Sequence, residues 1–331
     1  MNKKSCYILL AAFVTVLISA KKETTFPTAD ISNGIIHARF YLPDTEKGYY
    51  RGTRFDWSGV IPDLEYKGHT YCVQWFENYN ATTHDALMGP VESFSPLGYD
   101  AAKPGGPFVE IGVGTLSKIK DDKYTPFVYY PILNPGKWKI KTTASSIKFT
   151  HTLQDSLYSY EYKKTETLLK GKPVLVLAHS LKNTGKQIIE TSVYNHNLFV
   201  FDKQPSGPGF SVTFPFSTTA EAEGEKGIGP GDIVTIKDNQ LVFNKGLEKR
   251  ESVYAILKGY GASSKDYDIK IENHTTGAAV RITSDQPISK LAFWSSSTIF
   301  SPEPFIQVNV RPGETFNWTI SYEFYTCNIV H

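Results

Sequence analysis

Cysteine is scarce in this chain: three residues in 331. Cys6 precedes an N-terminal apolar run, which leaves Cys72 and Cys327 for an exported chain. They can form one disulfide or stay as two unlinked, buried thiols. The formal net charge is only +2 and no long basic run occurs, so nothing in the charge points to nucleic acid. Histidines are scattered and neither CxxC nor HExxH is present, so no metal site is expected. A P-loop, a dinucleotide fingerprint and a GxSxG nucleophile elbow are also missing, and no cofactor is expected. The glycine-rich stretch Gly224 to Gly231 lacks the context of a phosphate loop. No 20- to 50-residue repeat is visible, and helical periodicity is nearly absent.

The N-terminus carries its own pattern. Lys3 and Lys4 form a basic start, Tyr7 to Ile18 is apolar, and small Ser19 and Ala20 precede Lys21. This is the pattern of a secretory signal peptide over residues 1–20. The apolar run is short of the roughly 20 residues a membrane span needs. No later segment could span a bilayer as a helix. A periplasmic or secreted location is therefore expected, with residues 21–331 forming a single large domain.

Elsewhere the dominant period is two. "SLYSYEYKKTETLL" (156–169), "PVLVLAHSLKNTG" (173–185), "DYDIKIENH" (266–274), "GAAVRITSD" (277–285) and "FIQVNVRPGETFNWTISYEFY" (305–325) alternate apolar with polar residues. Turn signals separate them: Lys170-Gly171-Lys172, Asn183-Thr184-Gly185, Lys237-Asp238-Asn239 and Arg311-Pro312-Gly313. Short alternating segments at this spacing predict an all-β fold, a large antiparallel β-sandwich or barrel. "ESVYAILKGYG" (251–261) is ambiguous between helix and strand. Exposed loops are expected at 99–107 and 221–232.

Several polar residues stand on apolar, strand-like ground. In "IIETSVYNHNLFVFD" (188–202), Asn195, His196 and Asn197 interrupt an alternating run. Glu303 lies between prolines in "FSPEPF". Arg54 lies in "YYRGTRFDWSG", and His84 and Glu92 in "THDALMGPVESFSP". Taken singly, each fits a core residue, a loop residue or a stacked arginine.

Taken together, they resemble aldose 1-epimerases of the galactose mutarotase-like family. "YNHNLFVFD" is similar to that family's "NHxYFNL" segment, and "PEPFIQVNVRPGETFNWTISYEFY" is similar to its last strands. "GTRFDWSG" is similar to an early arginine segment of the wider superfamily. The order of Arg, His and Glu along the chain also matches, and the likeness runs from about residue 50 to 325. The first-half "HGG" histidine motif is missing; "THDALMGPVESF" occupies that region, with His84 as the substitute.

The resemblance implies a large β-sandwich with a carbohydrate site on its concave face. It implies His196 as catalytic acid, Glu303 as catalytic base and Arg54 as a substrate-holding residue. His84, Asn195, Asn197 and Trp294 are further substrate-binding candidates. Phe199, Trp57 or Trp294 would supply an apolar platform for the sugar. The implied reaction is interconversion of α and β anomers by general acid–base catalysis. A non-catalytic carbohydrate-binding protein on the same fold is the alternative. A polysaccharide lyase or hydrolase is a third reading, although the chain has no room for the helical domain such lyases carry.

Overall fold

The structure is a computed structural model that describes residues 26–221, 228 and 233–329. The signal-peptide pattern lies outside these residues, as does nearly all of the glycine-rich 221–232 stretch.

Two antiparallel sheets carry the fold, with strands numbered in chain order. The larger has ten strands in the order β16 (Val234–Lys237), β17 (Gln240–Phe243), β14 (Phe210–Thr213), β19 (Asp268–Asn273), β20 (Ala278–Ser284), β23 (Thr315–Thr326), β12 (Val174–Asn183), β11 (Tyr160–Leu168), β10 (Ser146–Leu153) and β9 (Lys137–Thr142). The smaller has six: β15 (Thr219–Glu221), β18 (Ser252–Lys258), β21 (Lys290–Ser296), β22 (Phe300–Val310), β13 (Ile189–Leu198) and β5 (Gly89–Phe94). A four-stranded sheet of β1 (Thr28–Ser32), β2 (Ile36–Tyr41), β3 (Val60–Tyr66) and β4 (His69–Cys72) packs beside them. A three-stranded sheet of β6 (Pro107–Glu110), β7 (Gly114–Ser117) and β8 (Ile132–Asn134) completes the set. Among the described residues there is no α-helix, only a 3₁₀ turn at Ser264–Asp266. This is the expected all-β sandwich.

Alternation explains the strands. In β11 every second residue from Tyr160 to Leu168 is buried, and β12 follows the same rule from Leu175 to Leu181. The inward residues of the two large sheets build the main core, including Leu175, Leu177, Val193, Ile306, Trp318 and Tyr322. The ambiguous 251–261 segment contains β18, whose buried residues Val253, Ala255 and Leu257 have period two. Two turn signals work through backbone conformation. Asp238 at φ 56° closes the β16–β17 hairpin, and Gly313 at φ 82° lies in the turn that carries the chain from β22 in one sheet to β23 in the other.

A second core lies on the opposite face of the six-stranded sheet. Val91 of β5 and Leu198 of β13 pack there with Tyr50, Phe55, Trp57, Phe108 and Tyr130 from loops and the three-stranded sheet. This layer raises a wall above β13 and β5, and the cavity opens against that wall. Cys72 is buried and Cys327 half-buried; both are free thiols, so the unlinked arrangement holds.

Candidate functional site

The β13–β22 register pairs Ile189 with Val310 through Tyr194 with Phe305. An isolated bridge further on pairs Phe199 with Phe300. Both keep the same offset, so His196 falls opposite Glu303 across an interrupted ladder. Pro302 and Pro304 flank Glu303 and have no N–H to give to the ladder. The break leaves the Glu303 side chain on the outer face of a central strand, where a proline-flanked glutamate is unexpected.

The structure brings His196 and Glu303 together. His196 Nε2 lies 3.2 Å from Glu303 Oε1, and the side chains are only 5% and 6% exposed. Ser301, two residues before Glu303 and on the same face, sits 2.8 Å from His196 Nδ1. Phe55 and Trp294 meet the imidazole edge-on at 5.5 and 5.3 Å. Burial pushes the Glu303 carboxyl up to about 7, held back by Arg54 and the Ser301 hydroxyl. Burial and the Arg54 charge together push His196 well below its ordinary value. Below about pH 7 the carboxyl therefore keeps its proton beside a neutral imidazole, and the 3.2 Å contact lets the two groups hold that one proton between them.

The pair lines a cavity of about 160 Å³ with Arg54, Phe55, Trp75, His84, Asp85, Phe127, Leu198, Tyr254 and Trp294. Arg54, His84 and Trp294 thus share one site with the pair. Arg54 donates to Tyr194 Oη at 3.1 Å, and its guanidinium lies 4.5 Å from the Phe55 ring and 5.2 Å from Phe127. It is held by neither Asp56 nor Trp57. His84 faces Asp85 at 3.4 Å and meets Phe127 edge-on at 5.2 Å.

Asn195 and Asn197 sit elsewhere, because successive residues of a strand point to opposite faces. His196 faces the cavity, so its neighbours face the interior between the sheets. Asn195 Nδ2 donates to Glu92 Oε1 at 3.0 Å. Asn197 donates to the Pro302 carbonyl at 2.7 Å and accepts from Tyr322 Oη at 2.9 Å. Both are structural, which corrects the expectation that they bind substrate. Phe199 and Trp57 are likewise buried in the two cores and offer no platform.

Behind Asn195 lies a dry ionic network. Lys164 is fully buried, ion-paired with Glu92, and 3.7 Å from both Asp56 and Glu166. His179 Nε2 reaches Glu92 at 2.7 Å. The Lys164 ammonium also donates to the Ser58 carbonyl at 2.9 Å. Gly59 follows at φ 80°, and a Cβ there would come within 2.3 Å of the Lys164 nitrogen. The network anchors the 52–59 loop that carries Arg54 and Phe55. Glu92 therefore belongs to the interior and not to the cavity. Sequence reading missed Ser301, Tyr194, Phe55, Trp75, Asp85, Phe127 and Tyr254. Period two from Glu303 and His196 would have found Ser301 and Tyr194.

No family model and no curated protein sequence matches the chain. Solved structures do match its fold, which is that of galactose mutarotase-like β-sandwiches. A galactose mutarotase-like protein from Lactobacillus casei superposes with a TM-score of 0.53 at 13% identity, covering 90% of this chain and all of that one. An aldose epimerase homologue from C. elegans gives 0.55 at 12% identity over 92% of this chain and 100% of its own. A galactose mutarotase-like protein from Clostridium acetobutylicum gives 0.53 at 11%, covering 91% and 95%.

Proposed function

We propose that the protein is a sugar mutarotase that interconverts the α and β anomers of an aldose. The observation that carries the reading is the buried His196–Glu303 pair at 3.2 Å on the cavity wall. The anomeric hydroxyl oxygen and the ring oxygen are bonded to the same carbon. Two groups side by side can therefore reach both. In the tautomer that has the shared proton on His196, Glu303 takes the hydroxyl proton while His196 protonates the ring oxygen, the C1–O5 bond breaks and the open aldehyde forms. Rotation about C1–C2 turns the other face of the carbonyl to the hydroxyl at C5. The reverse transfers close the ring, and the pair ends with the one proton it began with. Arg54 is placed to donate to sugar oxygens, and Trp294 to pack against a sugar face. The signal-peptide pattern of residues 1–20 supports a periplasmic or secreted site of action.

The test is saturation transfer between anomeric protons across a panel of aldoses and uronic acids, corrected for buffer. The wild type should accelerate exchange of at least one sugar. His196→Asn and Glu303→Gln should each lower that acceleration by about a hundredfold or more, the usual share of general acid–base catalysis. Wild-type rates in both variants would remove the pair from the mechanism. Sugar binding without acceleration would instead establish the non-catalytic carbohydrate-binding reading.

A further inference from the structure

The cavity at His196 is not closed on all sides. A second and larger one, about 750 Å³, shares Trp75 and Trp294 with it. It is lined further by Glu77, Asn78, Lys249, Arg250, Ser252 and Ser297. The two tryptophan rings meet edge to face at 5.9 Å and line both cavities.

Strand register gives the direction of the cleft. Ala292 pairs with Glu303, and Trp294 with Ser301 on one side and Tyr254 on the other. Ser296 then pairs with Ser252. These rows follow each other along β21 on one sheet face, about 7 Å apart at two residues per step. The sequence outward is reacting pair, aromatic row, hydroxyl row. An apolar step followed by small polar side chains suits a chain of sugars, whose rings have apolar faces and hydroxyl edges. The outer cavity contains two acids, Glu77 and Glu251, and two bases, Lys249 and Arg250. Their charges cancel, and Lys249 pairs with Glu77 at 2.6 Å. Nothing there selects an acidic sugar.

We propose that the His196 cavity is the innermost subsite of this cleft, and that its ligand is the reducing end of a neutral oligosaccharide. The second sugar lies over Trp75 and Trp294, and later ones enter the outer cavity. This rests on the mutarotase reading for the reaction at the innermost sugar, while the cleft itself can be tested by binding alone.

The experiment compares glucose and galactose with reducing di- and trisaccharides built from them in several linkages. Anomeric exchange gives kcat/KM, and calorimetry gives affinity. At least one trisaccharide should exceed its monosaccharide tenfold or more in kcat/KM. Ser297→Trp, which projects a bulky ring into the outer cavity, should abolish that gain and leave the monosaccharide value within twofold. Arg250→Ala, a smaller change at the surface, should reduce the gain and guards against misfolding of the tryptophan variant. Equal kcat/KM and equal affinity along every series, unmoved by either variant, would overturn the cleft. If no sugar is accelerated, the mutarotase reading falls separately. Chain-length-dependent affinity that is lost in Ser297→Trp would then still support the cleft, and its absence would overturn it.

Discussion

Ser301 decides which nitrogen of His196 is free to exchange a proton with the ligand. When His196 is the protonated acid, its Nδ1–H donates to the Ser301 hydroxyl, which in turn donates to Glu303 Oε1 at 3.4 Å, and Nε2–H points at Glu303 and the cavity. Ser301→Ala should therefore lower kcat about tenfold and leave KM unchanged, the rate equivalent of a hydrogen bond of about 1.4 kcal/mol. Equal losses in kcat and affinity for sugar would mark a merely structural serine. The same residues set the pH dependence. Burial holds Glu303 at about 7 and His196 well below its usual range. The reacting form is the pair with one proton. On the alkaline side that proton leaves near pH 7, so kcat/KM should fall above about pH 7. A further fall is expected in acid, where the pair takes up a second proton. A profile flat from pH 6 to 9, with chemistry rate-limiting, would contradict the one-proton pair.

At the scale of strands and loops, much was legible in the chain because a half-buried strand writes its two faces in alternate residues. That rule recovered β11, β12, β19, β20, β22 and β23. It left Asn195 and Asn197 looking like ligand-facing neighbours of His196, which they are not. Two interior amides serve buried partners, Glu92 on one side and Pro302 and Tyr322 on the other, while only His196 faces the cavity. Long-range register supplies those partners, and a single segment cannot show them. Glu303 was singled out by resemblance, but its place in a central strand was obscured, since a Pro-Glu-Pro segment argues against one. The 52–59 loop, β6 to β8 and Phe127 have no period to read. They are placed by the second core and by the Lys164 network. Two substitutions test this. Asn195→Ala should cost about 1–3 kcal/mol in denaturant unfolding, because the buried Glu92 carboxylate loses a donor. It should leave the KM of any accelerated sugar unchanged, and a raised KM with unaltered stability would return Asn195 to the binding site. Gly59→Ala adds a Cβ at positive φ against the Lys164 nitrogen and should cost about 2 kcal/mol or more.

Across the whole molecule, the buried carboxyl groups pull stability in opposite directions with pH. Although burial raises it, Glu92 is held down at about 2 by Lys164 and His179, below its ordinary 4.5. A depressed carboxyl contributes stability above its unfolded value and loses it as pH falls from about 4.5 towards 2. Burial wins at the other sites despite Lys164. Glu166 rises to about 8 and Asp56 to about 6. Raised carboxyls behave in reverse: their protonated forms fit the dry interior, and stability is fully present below the unfolded values. It then falls as pH rises from about 4 through 6 for Asp56, 7 for Glu303 and 8 for Glu166, because the unfolded chain ionises more easily. The melting temperature should therefore peak near pH 4–5 and drop on both sides, with Glu110, which burial also pushes well above the usual carboxylate range, adding to the alkaline fall. Glu166→Gln isolates one of the alkaline contributions: neither Glu166 oxygen has a hydrogen-bond partner, and Glu110, likewise unpartnered and pushed well above the usual carboxylate range by burial, is left unchanged. The variant keeps the shape of the protonated acid and cannot ionise in the unfolded chain. It should be more stable than wild type at pH 8, by up to a few kcal/mol given about 1.4 kcal/mol per unit of pKa, and nearly equal at pH 4.5. Melting curves of the two proteins at these pH values decide the matter, and parallel behaviour would mean that Glu166 is ionised in the folded interior and balanced by Lys164.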